Sequence, residues 1–328
     1  MVEVAPDIHM ITVPTPFPVG PVNSYLITGE PVTLIDPGPA YSKARQALEE
    51  GLRECGLVLS DVDQVILTHG HIDHAGLSAE VVAARIQAAQ PMARVFVHKE
   101  DLYRVAHHDD YVVQRTGAYV RIARECGTPL EVMSYLDRIR LATFFKTLGH
   151  SLREAEPIED GHELETGIGP LRVVWTPGHT RGCVCLVSDE RRVVFTGDTV
   201  LRAISSNPSL DFEGEGISMM TYLESLDRLR AYEGYLVLPG HRSPVESLVA
   251  RIQELRDDID TKLNNVDSLL TDSPLSIYEL SRRLYGDYEV SELILALAET
   301  RDLVRVLSER GRAELVEIDG VQHAVRAR

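Results

Sequence analysis

Thr68-His69-Gly70-His71-Ile72-Asp73-His74 puts four candidate metal ligands within six consecutive positions, directly after the apolar run Val65-Ile66-Leu67. Such a run reads as a short strand buried in a sheet centre. Its end is a rigid base from which the following loop can turn side chains inward. Imidazole and carboxylate suit Zn²⁺, and equally Fe²⁺ or Mn²⁺. In a loop of this spacing His69 and His71 can face one ion, and Asp73 and His74 a neighbouring one.

Three further candidates follow at long range, again at the ends of apolar runs. They are His179 in Thr176-Pro177-Gly178-His179, Asp198 in Phe195-Thr196-Gly197-Asp198, and His241 in Leu238-Pro239-Gly240-His241. Each follows a glycine, so the backbone can bend sharply at the ligand. Five histidines and two aspartates are the ligands needed by two five-coordinate ions that share one carboxylate and one bridging water. The count predicts a dinuclear site.

With Asp36-Pro37-Gly38 upstream, these motifs make the chain resemble the metallo-β-lactamase superfamily of hydrolases over about residues 8–262. The resemblance implies an α+β, four-layer αβ/βα sandwich with the metals at one edge between two mixed sheets. It implies His69, His71 and His179 at one site, Asp73, His74 and His241 at the other, and Asp198 as the bridge. An aspartate at the bridge, instead of a cysteine, is similar to the glyoxalase II, lactonase and endoribonuclease branches. Two divalent ions about 3.5–4 Å apart lower the pKa of a shared water from 15.7 to about 7, and the hydroxide then attacks an acyl or phosphoryl centre. Asp73 and Asp198 are the carboxylates expected to take part, with Asp73 accepting a proton or orienting the hydroxide. Asp36 is expected to orient a ligand imidazole. Ser206 and Asn207 are candidate substrate-pocket residues, and Tyr25 reads either as a pocket residue or as core.

The expected cofactor is a pair of divalent ions per chain, zinc first, with iron or manganese as alternatives. The expected reaction is hydrolysis of a small ester-like substrate, a thioester or lactone, as by a hydroxyacylglutathione hydrolase. A phosphodiesterase or endoribonuclease acting on single-stranded RNA is the alternative; a metal-binding signalling protein without turnover is the third reading.

Of 328 residues, 33 are Lys or Arg and 50 are Asp or Glu, a formal net charge of -17. That balance repels phosphate backbones and disfavours nucleic acid as a partner. A small-molecule substrate and a candidate homodimer fit better. There is no 18-residue apolar run and no basic-then-apolar leader, so neither a membrane span nor a signal peptide is expected. Four cysteines do not make a disulfide scaffold, and a reducing cytoplasmic setting is expected. Cys183 and Cys185 read as small buried apolar residues. His9, His98, His150, His162 and His323 read as structural, and His107-His108-Asp109-Asp110 as a surface or helix junction.

Two domains are expected: 1–262, the hydrolase domain with a helical insertion at about 99–157, and 263–328, a small winged-helix-like domain. Met133, Leu136, Leu141, Phe144, Phe145 and Leu148 in the insertion suit a lid over the metals. In the C-terminal domain, helices at Ser276–Leu284 and Glu289–Thr300 precede expected strands at Val304–Leu307, Ala313–Ile318 and Ala324–Val325. From Asp267 onward there are 12 acidic residues against 8 arginines and no lysine. A net of -4 is the wrong sign for tracking phosphates, so the domain reads as a packing or dimerisation module.

Overall fold

Alternating apolar residues in Ile8–Val13 (β2) and the fully buried Val22–Ile27 (β3), Thr33–Ile35 (β4) and Gln64–Ile66 (β5) build the middle of a seven-stranded sheet. Val2–Ala5 (β1), Arg94–His98 (β6) and Glu156–Ile158 (β7) complete it in the order β1 to β7. The first pairings are antiparallel, and β4 through β7 are parallel. A second sheet of Glu163–Leu164 (β8), Leu171–Trp175 (β9), Val184–Ser188 (β10), Val193–Gly197 (β11) and Leu236–Pro239 (β12) is antiparallel except between β11 and β12. The structure, a computed structural model, describes residues 1–133, 141–208, 218–289 and 292–327.

Helices cover the outer faces of both sheets. Ser42–Glu54 (α1) buries Ala44, Leu48, Gly51 and Leu52, a single stripe at helical spacing, against Ile11 and its neighbours. Gly51 is required there, because an added Cβ would lie 2.8 Å from the Ile11 side chain. Burying Leu48 or Leu52 in this layer contributes about 1.5–3 kcal/mol each. Ile8, Tyr25, Ile27, Ile35, Ile66 and Phe96 of the first sheet meet Leu171, Val173, Val184, Leu186 and Phe195 of the second in the central core. Ser218–Leu229 and Leu248–Leu269 pack on the far side of the second sheet. These layers form the expected four-layer αβ/βα sandwich. Every loop that carries a candidate ligand leaves a sheet at one common edge, where Val22 bridges to His241.

The insertion is helical, with Leu102–Ala106, His108–Glu125 and Leu141–Lys146. Leu136 and the side chain of Leu141 lie outside the described residues. Towards the C-terminus come Leu275–Ser276 (β13), helices Ile277–Tyr285 and Leu293–Glu309, and a hairpin of Ala313–Ile318 (β14) and Val321–Arg326 (β15), with sheet order β13-β15-β14. Val304–Leu307, expected as a strand, is helical. Leu303, Val304, Val306 and Leu307 are buried as a helix face in the shared core, and this packing overrides their strand preference. The position 262/263 falls inside Leu248–Leu269, whose buried stripe runs from Leu248 through Leu263 to Val266. That stripe joins one core cluster containing Val174 and Val194 of the second sheet, Ile122 and Cys126 of the insertion, and Leu280, Leu297 and Ala324 of the C-terminal segment.

Candidate functional site

The loop after β5 begins with Thr68, whose backbone N–H and hydroxyl both donate to the buried Asp36 carboxylate, at 2.8 and 2.6 Å. His71 opens a one-turn helix, Ile72–Ala75, which carries Asp73 and His74. The loops after β9, β11 and β12 bring His179, Asp198 and His241 to the same place.

Six ring nitrogens and carboxylates converge in two groups. His69 Nε2 lies 3.1 Å and His179 Nε2 lies 2.9 Å from His71 Nδ1. Asp73, His74 and His241 form the second group, with Asp73 Oδ2 3.5 Å from His241 Nε2 and 3.9 Å from His74 Nε2. Asp198 lies between the groups. Its Oδ1 is 3.5 Å from His74 Nε2, and its Oδ2 is 3.5 Å from His241 Nε2 and 3.7 Å from His179 Nε2.

The opposite nitrogen of four of these rings is tied down. His69 Nδ1 is 3.1 Å from the Thr68 hydroxyl, His74 Nδ1 is 2.9 Å from Asp36, and His241 Nδ1 donates to Pro21 O at 2.8 Å. His179 Nδ1 donates to the Ser206 carbonyl. A ring that donates through Nδ1 presents a bare lone pair at Nε2. Yet His74 Nε2, His241 Nε2 and Asp198 Oδ1 are buried with no hydrogen-bond partner in the structure. Buried polar atoms are almost always paired, so three orphans facing one another fit a cation between them. Asp36 also lies close to His69 and His74, but its oxygens are already occupied by Thr68 and His74, which makes it an orienting group and not a ligand.

The electrostatics agree. Burial holds His69 and His71 well below the ordinary histidine value, reinforced at His69 by the charge of His74 and His241 and at His71 by that of Arg115 and Arg104, so both are neutral. Burial also lowers His179. At His74 burial opposes protonation, but the charges of Asp198, Asp36 and Asp73 outweigh it and raise the pKa well above 6.5. His241 is raised by Asp198 and Asp73 in the same way, against its burial. Asp73 and Asp198 are held below the usual carboxylate range by these histidines, although burial alone would raise them. The second group therefore stores positive charge on imidazole wherever a cation does not supply it.

The loops approach one another closely because of glycines. A Cβ on Gly240 would lie 2.4 Å from Asp198 Oδ1 and 2.8 Å from His74 Cε1, and Gly197, with φ +47, faces the Thr68 side chain. Asp101, which sequence reasoning missed, is fully buried and ties two ligand loops together. Its Oδ2 accepts from Gly70 N at 2.7 Å and Thr180 Oγ1 at 2.6 Å, and its Oδ1 accepts from Gly182 N at 3.2 Å and pairs with Arg104 Nε at 3.0 Å.

The remaining expectations resolve differently. Tyr25 is core: it is 2% exposed, packs edge-on against Phe195, and donates to Pro239 O at 2.7 Å. Ser206 is enclosed, its hydroxyl bonded to Thr199 O and to Tyr222, so its contribution is the carbonyl that holds His179. Asn207 is exposed, with φ +44. Burial pushes the Cys183 thiol well up and that of Cys185 to about 12, which suits inert packing. His108 is buried against Phe145 O, while His107 marks the helix junction.

Residues 17–241 match the model of the metallo-β-lactamase superfamily. The chain belongs to the metallo-β-lactamase superfamily. It is 30% identical over 308 residues to "Probable metallo-hydrolase YqjP" of Bacillus subtilis (strain 168), covering 92% of each chain. A solved metallo-β-lactamase family protein of Thermus thermophilus, TTHA1429, matches with a TM-score of 0.84 at 30% identity, over 99% of this chain and 100% of that one. A shorter match, 26% identical over 136 residues and covering 40% of this chain and 38% of the relative, is to an "Atrochrysone carboxyl ACP thioesterase" of Aspergillus fumigatus. Membership in this superfamily makes the chain a metallo-hydrolase with candidate His/Asp metal sites. Among the described residues no helix is long and apolar enough to cross a membrane.

Proposed function

We propose that this metallo-hydrolase is dinuclear and cleaves a small ester-like substrate, a thioester in preference to a lactone. The carrying observation is the pair of converging ligand groups with Asp198 between them and three orphaned buried atoms facing inward. His69, His71 and His179 would hold one ion, and Asp73, His74 and His241 the other, with Asp198 between the two groups. Zinc suits this donor set, and iron or manganese would also be accepted.

Divalent ions held there would supply Lewis-acid activation of water and of a substrate carbonyl at neutral pH. The protein's own groups do the rest. Asp36, Pro21, Thr68 and Ser206 fix the ligand rings so that no reorganisation is needed at the moment of reaction. Asp73 is held ionised by His74 and His241, so it orients as a carboxylate and does not store a proton. The end of the insertion lies against the ligand loop: Leu148 O accepts from Ala40 N at 2.7 Å, and Gly149 abuts Ile72. Phe144 and Phe145, four and three residues before Leu148, stand with Phe17 in an aromatic triangle at this rim. Such an apolar wall suits an acyl or pantetheine-like arm, in keeping with the thioesterase relative.

The test is a substrate panel on protein with measured metal content. Thioester turnover with about two ions per chain is expected from the seven-ligand set. Protein that carries both ions, cleaves single-stranded RNA and leaves thioesters, lactones and aryl esters intact would overturn the reading.

A further inference from the structure

Beyond Arg104, which pairs with Asp101, three arginines adjoin the candidate ligand motifs in sequence: Arg181, Arg202 and Arg242. Arg181 is paired with Glu100 at 3.2 Å. Arg202 is held by Glu246 at 2.6 Å and by Ser243 at 3.0 Å. Arg242 is exposed, and among the described residues no carboxylate pairs with it. It follows the candidate ligand His241 directly, and its backbone has φ +67, a left-handed conformation costly for a side chain of this size. The turn is built to hold that conformation. Asn23, 3% exposed, gives both amide hydrogens to it, one to Pro239 O at 2.9 Å and one to Arg242 O at 2.7 Å, while its own N–H donates to Gly240 O at 2.7 Å. The guanidinium then lies over Gly20, with its atoms 3.8–3.9 Å from where a Cβ would stand. Gly20 closes a turn on Phe17, its N–H donating to Phe17 O at 3.1 Å. Phe17 stacks on Phe145 at 5.9 Å and meets Phe144 edge-on at 6.2 Å. Arg242, which no carboxylate among the described residues pairs with, thus lies against the loop that carries Phe17, and Phe17 in turn joins Phe144 and Phe145.

We propose that Arg242 and the Phe17–Phe144–Phe145 triangle form a subsite for a substrate that carries an anionic group on the arm beyond the scissile bond. This rests on the thioester reading and narrows it: the thiol portion bears a phosphate or a carboxylate, Arg242 pairs with that anion, and the aromatic wall packs the apolar stretch between anion and carbonyl. Strain at Arg242 and the dedication of buried Asn23 to its turn are explained if the guanidinium must be aimed. A guanidinium suits this role because its fork matches either anion.

The experiment compares three thioesters with one acyl group: a coenzyme A thioester (phosphates), a glutathione thioester (carboxylates) and an N-acetylcysteamine thioester (neutral). Hydrolysis-proof S-alkyl thioethers of the same three thiols serve for binding by calorimetry. One charged arm is expected to exceed the neutral arm in kcat/KM, and its thioether to bind tighter, by about five- to tenfold, as for one partly exposed charge-assisted contact. Which arm wins identifies the anion. R242Q should collapse the ratio in both readouts, R242K should keep part of it, and R202Q should leave it near wild type. Equal affinity for charged and neutral thioethers, or a preference that survives R242Q, overturns the subsite. Tighter binding of a charged thioether that is lost in R242Q, without hydrolysis of any thioester, would uphold the subsite and reject the thioester reading.

Discussion

Replacing Asp101 by alanine tests whether the two ligand loops are held by one buried carboxylate. The side chain accepts from Gly70 N, Gly182 N and Thr180 Oγ1 and faces Arg104, whose own side chain is only 5% exposed. After truncation the Thr180 hydroxyl can still turn to Cys183 Sγ at 3.2 Å. The two amides cannot, and each costs about 1–3 kcal/mol when buried unpaired. Loss of one partner of a buried ion pair costs about 3–5 kcal/mol. These terms overlap, because water can enter the vacated volume, so the expected loss is about 4–6 kcal/mol against a typical total of 5–15. D101N keeps an acceptor oxygen and should lose about 2 kcal/mol, mainly from the lost negative charge opposite Arg104. Urea unfolding in excess chelator removes the contribution of bound metal from the comparison. An alanine variant within about 1.5 kcal/mol of wild type, with unchanged metal affinity, would refute the account of Asp101 as the tie between loops.

Asp36→Ala frees His74 Nδ1 and both Thr68 donors, and should weaken metal binding about 10–100-fold by competitive chelation, with little change if Asp36 only shapes the turn. Asp198→Ala should reduce elemental metal content below two ions per chain and abolish hydrolysis; both ions at full activity would contradict a bridging role. Gly240→Ala drives a Cβ into Asp198 and His74, so it should lose metal and activity together while a scaffold glycine such as Gly117, which has open space around it and no positive φ, should not. Loading should also release protons. The folded pKa of His74 in metal-free protein is raised, so its protonated form stabilises the fold below about pH 6.5 and that contribution fades as pH climbs through the raised value. Metal must displace that proton, whereas His69 and His71 are already neutral. Calorimetry at pH 7.5 in buffers of different ionisation enthalpy should show net release, largest from His74 and reduced in H74A; buffer-independent heats would contradict it.

All seven candidate ligands were legible because local signals mark them: four in one loop, and three each preceded by a glycine at the end of an apolar run. Asp36 was legible for the same reason, sitting where a buried strand meets Pro37-Gly38. Asp101 was not. It sits in Lys99-Glu100-Asp101, which reads as a solvated charge run, and its partners are Gly70 and Thr180, 31 and 79 positions away. The hold of Ser206 on His179 is not legible, because the atom that makes it is a main-chain carbonyl, and residue type carries no signal for that. Tyr25 reads either as pocket or as core from sequence, because the partner of its hydroxyl, Pro239 O, is 214 positions away. In the C-terminal segment, β-branched residues at Val304 and Val306 suggested a strand, but burial against Leu297 and Leu280 decided for a helix.

The stripe on Leu248–Leu269 has a practical corollary. Because one apolar surface serves the second sheet, the insertion and the terminal hairpin together, the last 66 residues cannot be trimmed like a tag. A chain ending at 262 would leave Ile122 and Cys126 facing water and cut the long helix just before Leu263 and Val266. Such a truncate should fail to accumulate in soluble form, and the terminal segment should act less as a detachable cassette than as the keel of the hydrolase.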